Sequence, residues 1–251
     1  MVWVVRAIEE HTDKTVTRRA LAAAIEQHEQ VRVGVAAFRR ASLIAGNSLS
    51  PAMRQLILES FWFVPNTDEW LMRLNRLTAV LRGYARRHAK PAEARPCVLI
   101  AGSPVIFPNE KLPLLLKSAG LELVDTADSV SAQLEMPAPK LPRFGGLMGI
   151  LLEMSQSRLP KDASGAWTVN HGLLDGLKRR LDAQRVDGVV YHVLKGQIEL
   201  DFELPRVEAL CERYGVPVFR LETDYQQQDV EQLRIRIEAF IELIKYGGND
   251  T

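Results

Sequence analysis

Hydrophobic residues recur at helical spacing through the first ninety or so positions of the chain. Between residues 15 and 46 the apolar positions predict a long amphipathic helix, capped by one of two threonines at its start. Ser50, followed directly by proline, marks a second helix, because serine is a favoured N-cap and proline fits the first turn. A third helix is predicted at about residues 67–88, and the proline-containing stretch 89–96 is typical of a linker.

From residue 97 onward, short runs that are apolar along their whole length alternate with amphipathic segments. The runs predict buried strands at residues 97–104, 121–128, 187–194 and 216–223, with helices between and after them. Fully apolar strands separated by helices are typical of a parallel sheet covered on both faces. We therefore predict an α/β fold, with a helical N-terminal region (1–94) followed by a doubly wound, mostly parallel Rossmann-like or flavodoxin-like sheet (95–251).

Polar residues follow the predicted strands at the point where each strand ends. In doubly wound sheets, ligands bind at the carboxyl ends of the strands, where such side chains converge. A ligand-binding edge is therefore predicted, and its candidate residues are Gly102, Ser103, Asp128, His192, Lys195, Glu222 and Asp224.

Most of these candidates also have a simpler structural interpretation. The Gly102–Ser103 turn lacks the Gly-x-Gly-x-x-Gly spacing of a dinucleotide loop, so a plain tight turn fits equally well. His192 lies near the end of a buried strand, where a histidine is often a hydrogen-bonded core residue. The acidic segment 222–224 is explained by a structural ion pair with Lys195 or Arg206.

Composition narrows the class of protein without identifying a function. The 251 residues include 32 basic and 31 acidic side chains, and this balance does not indicate nucleic-acid or membrane binding. The two cysteines, Cys97 and Cys211, exclude a disulfide framework and any site built from four thiols of this chain. Both are interpreted as small core hydrophobes. The longest apolar run is too short to span a bilayer, and a cytoplasmic location is the default expectation.

Several segments resemble the 2-hydroxyacyl-CoA dehydratase and benzoyl-CoA reductase family. Tyr191-His192-Val193-Leu194-Lys195, followed by Asp201-Phe202-Glu203 and Glu222-Thr223-Asp224-Tyr225, is similar to the family's C-terminal signature. Residues 98–124 resemble the first strand-turn-helix of that domain, and residues 13–32 resemble the helical segment that links the family's two domains. The resemblance covers nearly the whole chain.

This resemblance implies a radical reaction carried out by a multi-subunit enzyme. In the family, two related subunits hold iron–sulfur clusters through cysteines, and an ATP-hydrolysing activator supplies an electron of very low potential. The enzyme then dehydrates a CoA thioester or reduces an aromatic ring. The chain is accordingly expected to be a subunit that acts on a CoA thioester, with a cluster-bearing family subunit as partner and an ATP-dependent activator.

The chain departs from the family pattern at the expected cluster ligands. One family cysteine corresponds to Gln197, a second falls near residues 129–131, and the family's N-terminal α/β domain has no counterpart here. Glutamine is a poor ligand for iron, so no [4Fe–4S] cofactor and no metal are expected in this chain. Gln197 joins the predicted ligand edge. Residues 59–65 are a candidate for part of a partner interface, and a core role fits them equally well. The alternatives are a non-catalytic binding or regulatory protein and a truncated or split-gene product.

Overall fold

The computed structural model describes residues 2–45, 49–87, 95–158, 171–226 and 228–247. The N-terminal region is helical, as predicted, and its helices are α1 (Val2–Thr12), α2 (Arg18–Ile44), α3 (Pro51–Glu59) and α4 (Thr67–Arg87). The hydroxyl of Thr17 caps α2 and that of Ser50 caps α3, each by accepting a backbone N–H three residues on. The second predicted helix tightens into a 3₁₀ turn at Ser60–Phe63. The predicted linker lies largely outside the described residues.

Within the described residues, four strands form one parallel sheet, which confirms the predicted fold class. The strands are β1 (Cys97–Gly102), β2 (Glu122–Asp128), β3 (Gly188–Leu194) and β4 (Val218–Thr223). Their order in the sheet is β2-β1-β3-β4. The chain therefore leaves β1 toward one edge and continues from β3 toward the other, so that a crevice forms where these two strands lie side by side.

Helices cover both faces of the sheet. They are α5 (Lys111–Ser118), α6 (Ser129–Glu135), α7 (Gly146–Arg158), α8 (His171–Ala183), α9 (Leu204–Glu212) and α10 (Val230–Gly247). Successive strand residues point to opposite faces, so Val98 and Ile100 pack with α5 and α10, while Leu99 and Ala101 pack with α8 and α9. The apolar runs in the sequence reflect this burial on both sides.

A third hydrophobic cluster joins the N-terminal helices to the sheet domain. Val31, Val35 and Phe38 lie on one face of α2, at the spacing of successive helical turns, and they are fully buried. They pack with residues of α4 and with Leu134 of α6. The predicted division of the chain into a helical region (1–94) and an α/β domain (95–251) stays a prediction.

The helical region also covers the outer edge of β2. An edge strand presents backbone groups that no further strand satisfies. Arg54 of α3, which is 8% exposed, donates a hydrogen bond to the carbonyl oxygen of Leu123 and lies 3.6 Å from the carboxylate of Glu122. The guanidinium therefore supplies one of the hydrogen bonds that a neighbouring strand would otherwise provide. None of the helices in the described ranges is long and apolar enough to cross a bilayer.

Candidate functional site

The register of the sheet places the predicted edge residues at one level. Gly102 pairs with Asp128 of β2 on one side and with His192 of β3 on the other. Leu194, just before Lys195, pairs with Thr223 of β4. The four strands therefore end together, because parallel strands in register bring their carboxyl ends to the same edge. This juxtaposition is the geometry on which the predicted ligand edge depends.

His192 is the centre of a buried polar network at this edge. Its Nδ1 lies 2.8 Å from the backbone oxygen of Ser103, and its Nε2 lies 2.7 Å from Oγ1 of Thr223. A carbonyl oxygen only accepts, so Nδ1 carries the proton, and in the neutral ring Nε2 accepts the Thr223 hydroxyl. Burial lowers the pKa of His192, which favours this neutral form. The interpretation of His192 as a hydrogen-bonded core residue is consistent with these contacts.

The neutral state of His192 predicts a specific pH dependence of stability. The unfolded chain binds a proton below the ordinary pKa of about 6.5, whereas the folded chain resists protonation, so stability falls as pH drops through 6.5. The loss reaches at most about 1.4 kcal/mol per pH unit. Urea unfolding between pH 7.5 and 5.5 should show this slope in the wild type and a shallower slope in His192→Asn. Parallel profiles for the two proteins would contradict the assignment.

A buried carboxyl group with the opposite pH dependence makes the comparison with His192→Asn necessary. Burial raises the pKa of Glu59, so that the folded chain holds its proton above the ordinary value and stability falls as pH rises. Glu59 lies on α3, and its carboxylate accepts from the backbone N–H of Phe107 at 2.9 Å and from Gln55 at 3.0 Å. Its contribution is the same in both proteins and cancels in their difference.

Ser103 joins the network to the loop after β3. Its backbone N–H donates to the carbonyl oxygen of His192 at 2.8 Å, and its Oγ accepts the N–H of Leu194 at 2.8 Å. The same Oγ lies 2.5 Å from Oε1 of Gln197. The turn is tight because Gly102 adopts a φ of +105°, and a Cβ there would lie 2.4 Å from the His192 carbonyl oxygen.

The acidic candidates are held by cations other than the predicted ones. Glu222 pairs with Arg220 at 3.1 Å, and Asp224 lies 3.6 Å from Nζ of Lys111. Arg206 pairs instead with Glu203, and Lys195 is exposed. The predicted pairing of segment 222–224 with Lys195 or Arg206 was therefore wrong, because strand neighbours and the buried Lys111 lie closer. Asp128 caps α6, where its carboxylate accepts the backbone N–H groups of residues 130 and 131.

Lys111 is a residue of this edge that the sequence did not reveal. Its side chain is 1% exposed, and Nζ donates to Asp229 and to the backbone oxygen of Gln226, both at 2.7 Å. A lysine that opens an amphipathic helix normally reaches solvent, so no local pattern marks it. Its partners are more than 110 residues away in sequence. Lys111 therefore anchors the loop after β4 to the helix after β1.

A buried ion cluster lies beside the edge, between β2 and the helices that cover it. Arg180 of α8 pairs with Asp125 at 3.1 Å and with Glu135 at 2.6 Å, and it donates to the backbone oxygen of Gly176. Arg39 of α2 contacts the same two carboxylates. Two arginines and two carboxylates thus balance in charge where solvent access is low.

The neighbouring cavity is too small for a large ligand. It lies between α2, α3, β2 and α6, is lined partly by Phe38, Arg54 and Leu123, and has a volume of about 60 Å³. That volume holds about two water molecules. The loop after β3 lies outside this cavity, and its residues Lys195, Gly196 and Ile198 are exposed.

The two thiols of the chain do not lie at this edge. Cys97 begins β1, at the end of the strand opposite Gly102, and burial raises its pKa. Cys211 lies in the last turn of α9, where burial raises its pKa to about 12. Iron–sulfur clusters are held by thiolates, and both environments disfavour the thiolate. The donor set of this chain does not fit a cluster at the carboxyl edge.

Comparison with known proteins identifies the family. The family model described as 2-hydroxyglutaryl-CoA dehydratase, D-component, matches residues 1–244. YjiM of Escherichia coli (strain K12), which carries the name of a dehydratase subunit, is 23% identical over 247 residues, covering 97% of this chain and 62% of that protein. The (R)-phenyllactyl-CoA dehydratase beta subunit of Clostridium sporogenes is 20% identical over 240 residues, covering 96% of this chain and 61% of that protein. The chain thus spans about three fifths of the length of these relatives, and it belongs to the 2-hydroxyglutaryl-CoA dehydratase D-component family.

Proposed function

We propose that this chain is a subunit of a 2-hydroxyacyl-CoA dehydratase and binds the CoA thioester at the carboxyl edge of its sheet. The observation that carries the proposal is the family match over residues 1–244, which includes every strand and the whole edge. The parallel register supports it, because Gly102, His192 and the residues after β3 meet where doubly wound sheets bind ligands.

In this proposal the chain contributes binding, and a partner contributes the redox group. Loss of water from a 2-hydroxyacyl thioester removes the hydroxyl at C2 and a hydrogen at C3, and the overall reaction is redox-neutral. Cys97 and Cys211 lie away from the edge, which supports a partner subunit as the holder of any iron–sulfur cluster. The named subunits among the relatives support an assembly of more than one chain.

Anaerobic purification of the tagged chain from its own host tests the assignment as a subunit. We expect a second dehydratase-family chain to co-purify, with iron and sulfide in the complex, while the isolated chain made alone contains neither. Added 2-hydroxyacyl-CoA should lose water only with the complex and an activator present. A stoichiometric cluster in the isolated chain would overturn the division of roles.

A second candidate function is a CoA-thioester binding protein that acts without a catalytic partner. The location of both thiols away from the carboxyl edge also favours a binding protein. The purification separates the two functions. A chain that purifies alone, binds CoA thioesters and shows no turnover in any fraction would support the binding protein and contradict the subunit.

A further inference from the structure

The small cavity between α2, α3, β2 and α6 is lined by an arginine with an unpaired donor. Nη2 of Arg54 donates to the carbonyl oxygen of Leu123, whereas Nη1 has no hydrogen-bond partner among the described residues. The residue is 8% exposed, so Nη1 is shielded from bulk solvent. A buried donor without an acceptor is costly, and a buried cation more so. The position of Arg54 therefore indicates an acceptor in the cavity.

Two further unpaired atoms belong to residues that line the same cavity. Nε of Arg39 has no partner in the described part of the chain, although Nη1 of this residue pairs with Asp125. Oε1 of Gln55 lacks a donor within the same ranges, because Nε2 donates to the Val105 carbonyl oxygen and to Glu59. Reversing the amide would set two oxygens of Gln55 and Val105 against each other, so Oε1 stays as an acceptor. The residues around the cavity thus offer two N–H donors and one acceptor.

The charge of Arg54 is only weakly compensated. Glu122 lies 3.6 Å from its guanidinium, and burial lowers the pKa of Arg54 more than the carboxylates of Glu122 and Asp125 raise it. The carboxylates that line the cavity are engaged, since Asp125 pairs with two arginines and Asp128 accepts the first backbone N–H groups of α6. Burial raises the pKa of Glu59, which favours its neutral form. A small anion beside Arg54 would supply the missing negative charge.

The volume of the cavity restricts the anion to a small one. A planar oxyanion of the size of bicarbonate occupies roughly two water volumes, which matches the cavity of about 60 Å³. Bicarbonate has oxygens that accept from both arginines, and its hydroxyl can donate to Oε1 of Gln55. Nitrate and formate have such acceptors but no hydroxyl. The combination of two donors and one acceptor therefore favours bicarbonate over these ions.

We propose that this cavity binds bicarbonate, with Nη1 of Arg54 and Nε of Arg39 donating to its oxygens and Oε1 of Gln55 accepting from its hydroxyl. The bound ion joins α2 and α3 beside the outer edge of β2. Asp128 lies both at this cavity and at the carboxyl edge of the sheet, but the inference does not depend on the proposed function.

Urea unfolding of the full chain in sodium bicarbonate, nitrate or formate, at equal ionic strength and pH 8, tests this inference. A ligand that binds the folded chain alone raises the free energy of unfolding with its concentration. We expect the dissociation constant of bicarbonate to be about three- to tenfold lower than that of nitrate or formate, the range of one hydrogen bond. Equal stabilities in the three salts would overturn the inference and indicate a cavity that holds only water.

Gln55→Met isolates the contact with the hydroxyl. The variant loses the acceptor but keeps both arginines, so bicarbonate and nitrate should stabilise it equally. Gln27→Met is the matched control, because Gln27 bonds to Asp68 and does not line the cavity. The control should keep the preference of the wild type for bicarbonate. A preference that persists in Gln55→Met would contradict the assigned contact.

Val130→Leu tests the location of the site without removing a polar group. Val130 lines the cavity, and the added methylene would occupy space that the ion needs. We expect the affinity for bicarbonate to fall at least tenfold in this variant. The ¹³C NMR line of labelled bicarbonate should broaden on addition of the wild type and stay sharp with Val130→Leu. Equal broadening by the two proteins would place the bound ion elsewhere and overturn the inference.

Discussion

Replacing Gly102 by alanine should destabilise the protein by about 3 kcal/mol. The φ of +105° is unfavourable for any residue with a Cβ, at a cost of about 1–2 kcal/mol. The added Cβ would also lie 2.4 Å from the backbone oxygen of His192, and relief of such a clash costs about 1–3 kcal/mol. That oxygen accepts the N–H of Ser103, so its displacement disturbs the contacts that hold His192. Urea unfolding of wild type and variant measures the difference.

Gly120→Ala is the matched control for the clash between a Cβ at position 102 and the carbonyl oxygen of His192. Gly120 has a φ of +82°, and a Cβ there would meet nothing within 4 Å. The control variant has the unfavourable positive φ but no clash, so its free energy of unfolding should fall by only about 1 kcal/mol. Equal losses of stability at the two positions would show that the close contact between Gly102 and His192 does not add to the effect of the substitution.

Replacing Arg180 by leucine should destabilise the protein by about 3–5 kcal/mol. The guanidinium is buried and contacts both Asp125 and Glu135, so its removal leaves two carboxylates facing Arg39 alone. Breaking a buried ion pair by removing one partner has a large effect, because the remaining charge keeps its desolvation cost. Thermal unfolding followed by circular dichroism provides the measurement, with a large drop in midpoint expected.

Lys178→Leu gives the comparison on the same helix. Lys178 pairs with Asp182 at 2.7 Å, and both side chains are at least half exposed. Water screens an exposed pair of this kind and it contributes little to stability, so the variant should unfold close to the wild type. A loss as large as that of Arg180→Leu would show that the substitution by leucine, rather than the buried charge, causes the effect.

The strands could be predicted because a strand that is buried on both faces is apolar along its length. Residues 98–101 and 189–191 are apolar without interruption, and each is buried in the structure. Helix α6 was not predicted because no loop separates it from β2. Asp128 ends the strand and caps the helix at once, so no turn residues separate the two elements in the sequence.

The candidate site at the carboxyl ends of the strands was partly predictable for a different reason. Polar residues at strand ends mark its location, and the resemblance singled out Gln197 as a departure from a cysteine. Lys111 and Arg180 were missed because their partners are distant in sequence, and only the tertiary fold shows that they are buried. The contact between Ser103 and Gln197 also depends on the packing of β1 against β3, which local patterns do not encode.

The cover that Arg54 places on β2 has a consequence for the association behaviour of the chain. A parallel sheet with an open edge is a template on which a second chain can add a strand. At β2 the template is occupied by the guanidinium on the Leu123 oxygen and by the helices behind it. At the opposite edge, β4 carries Arg220, whose guanidinium pairs with the carboxylates of Asp201 and Glu222. The β2 edge of the sheet is thus covered by packing and the β4 edge carries paired charges, and both features oppose the addition of a further strand.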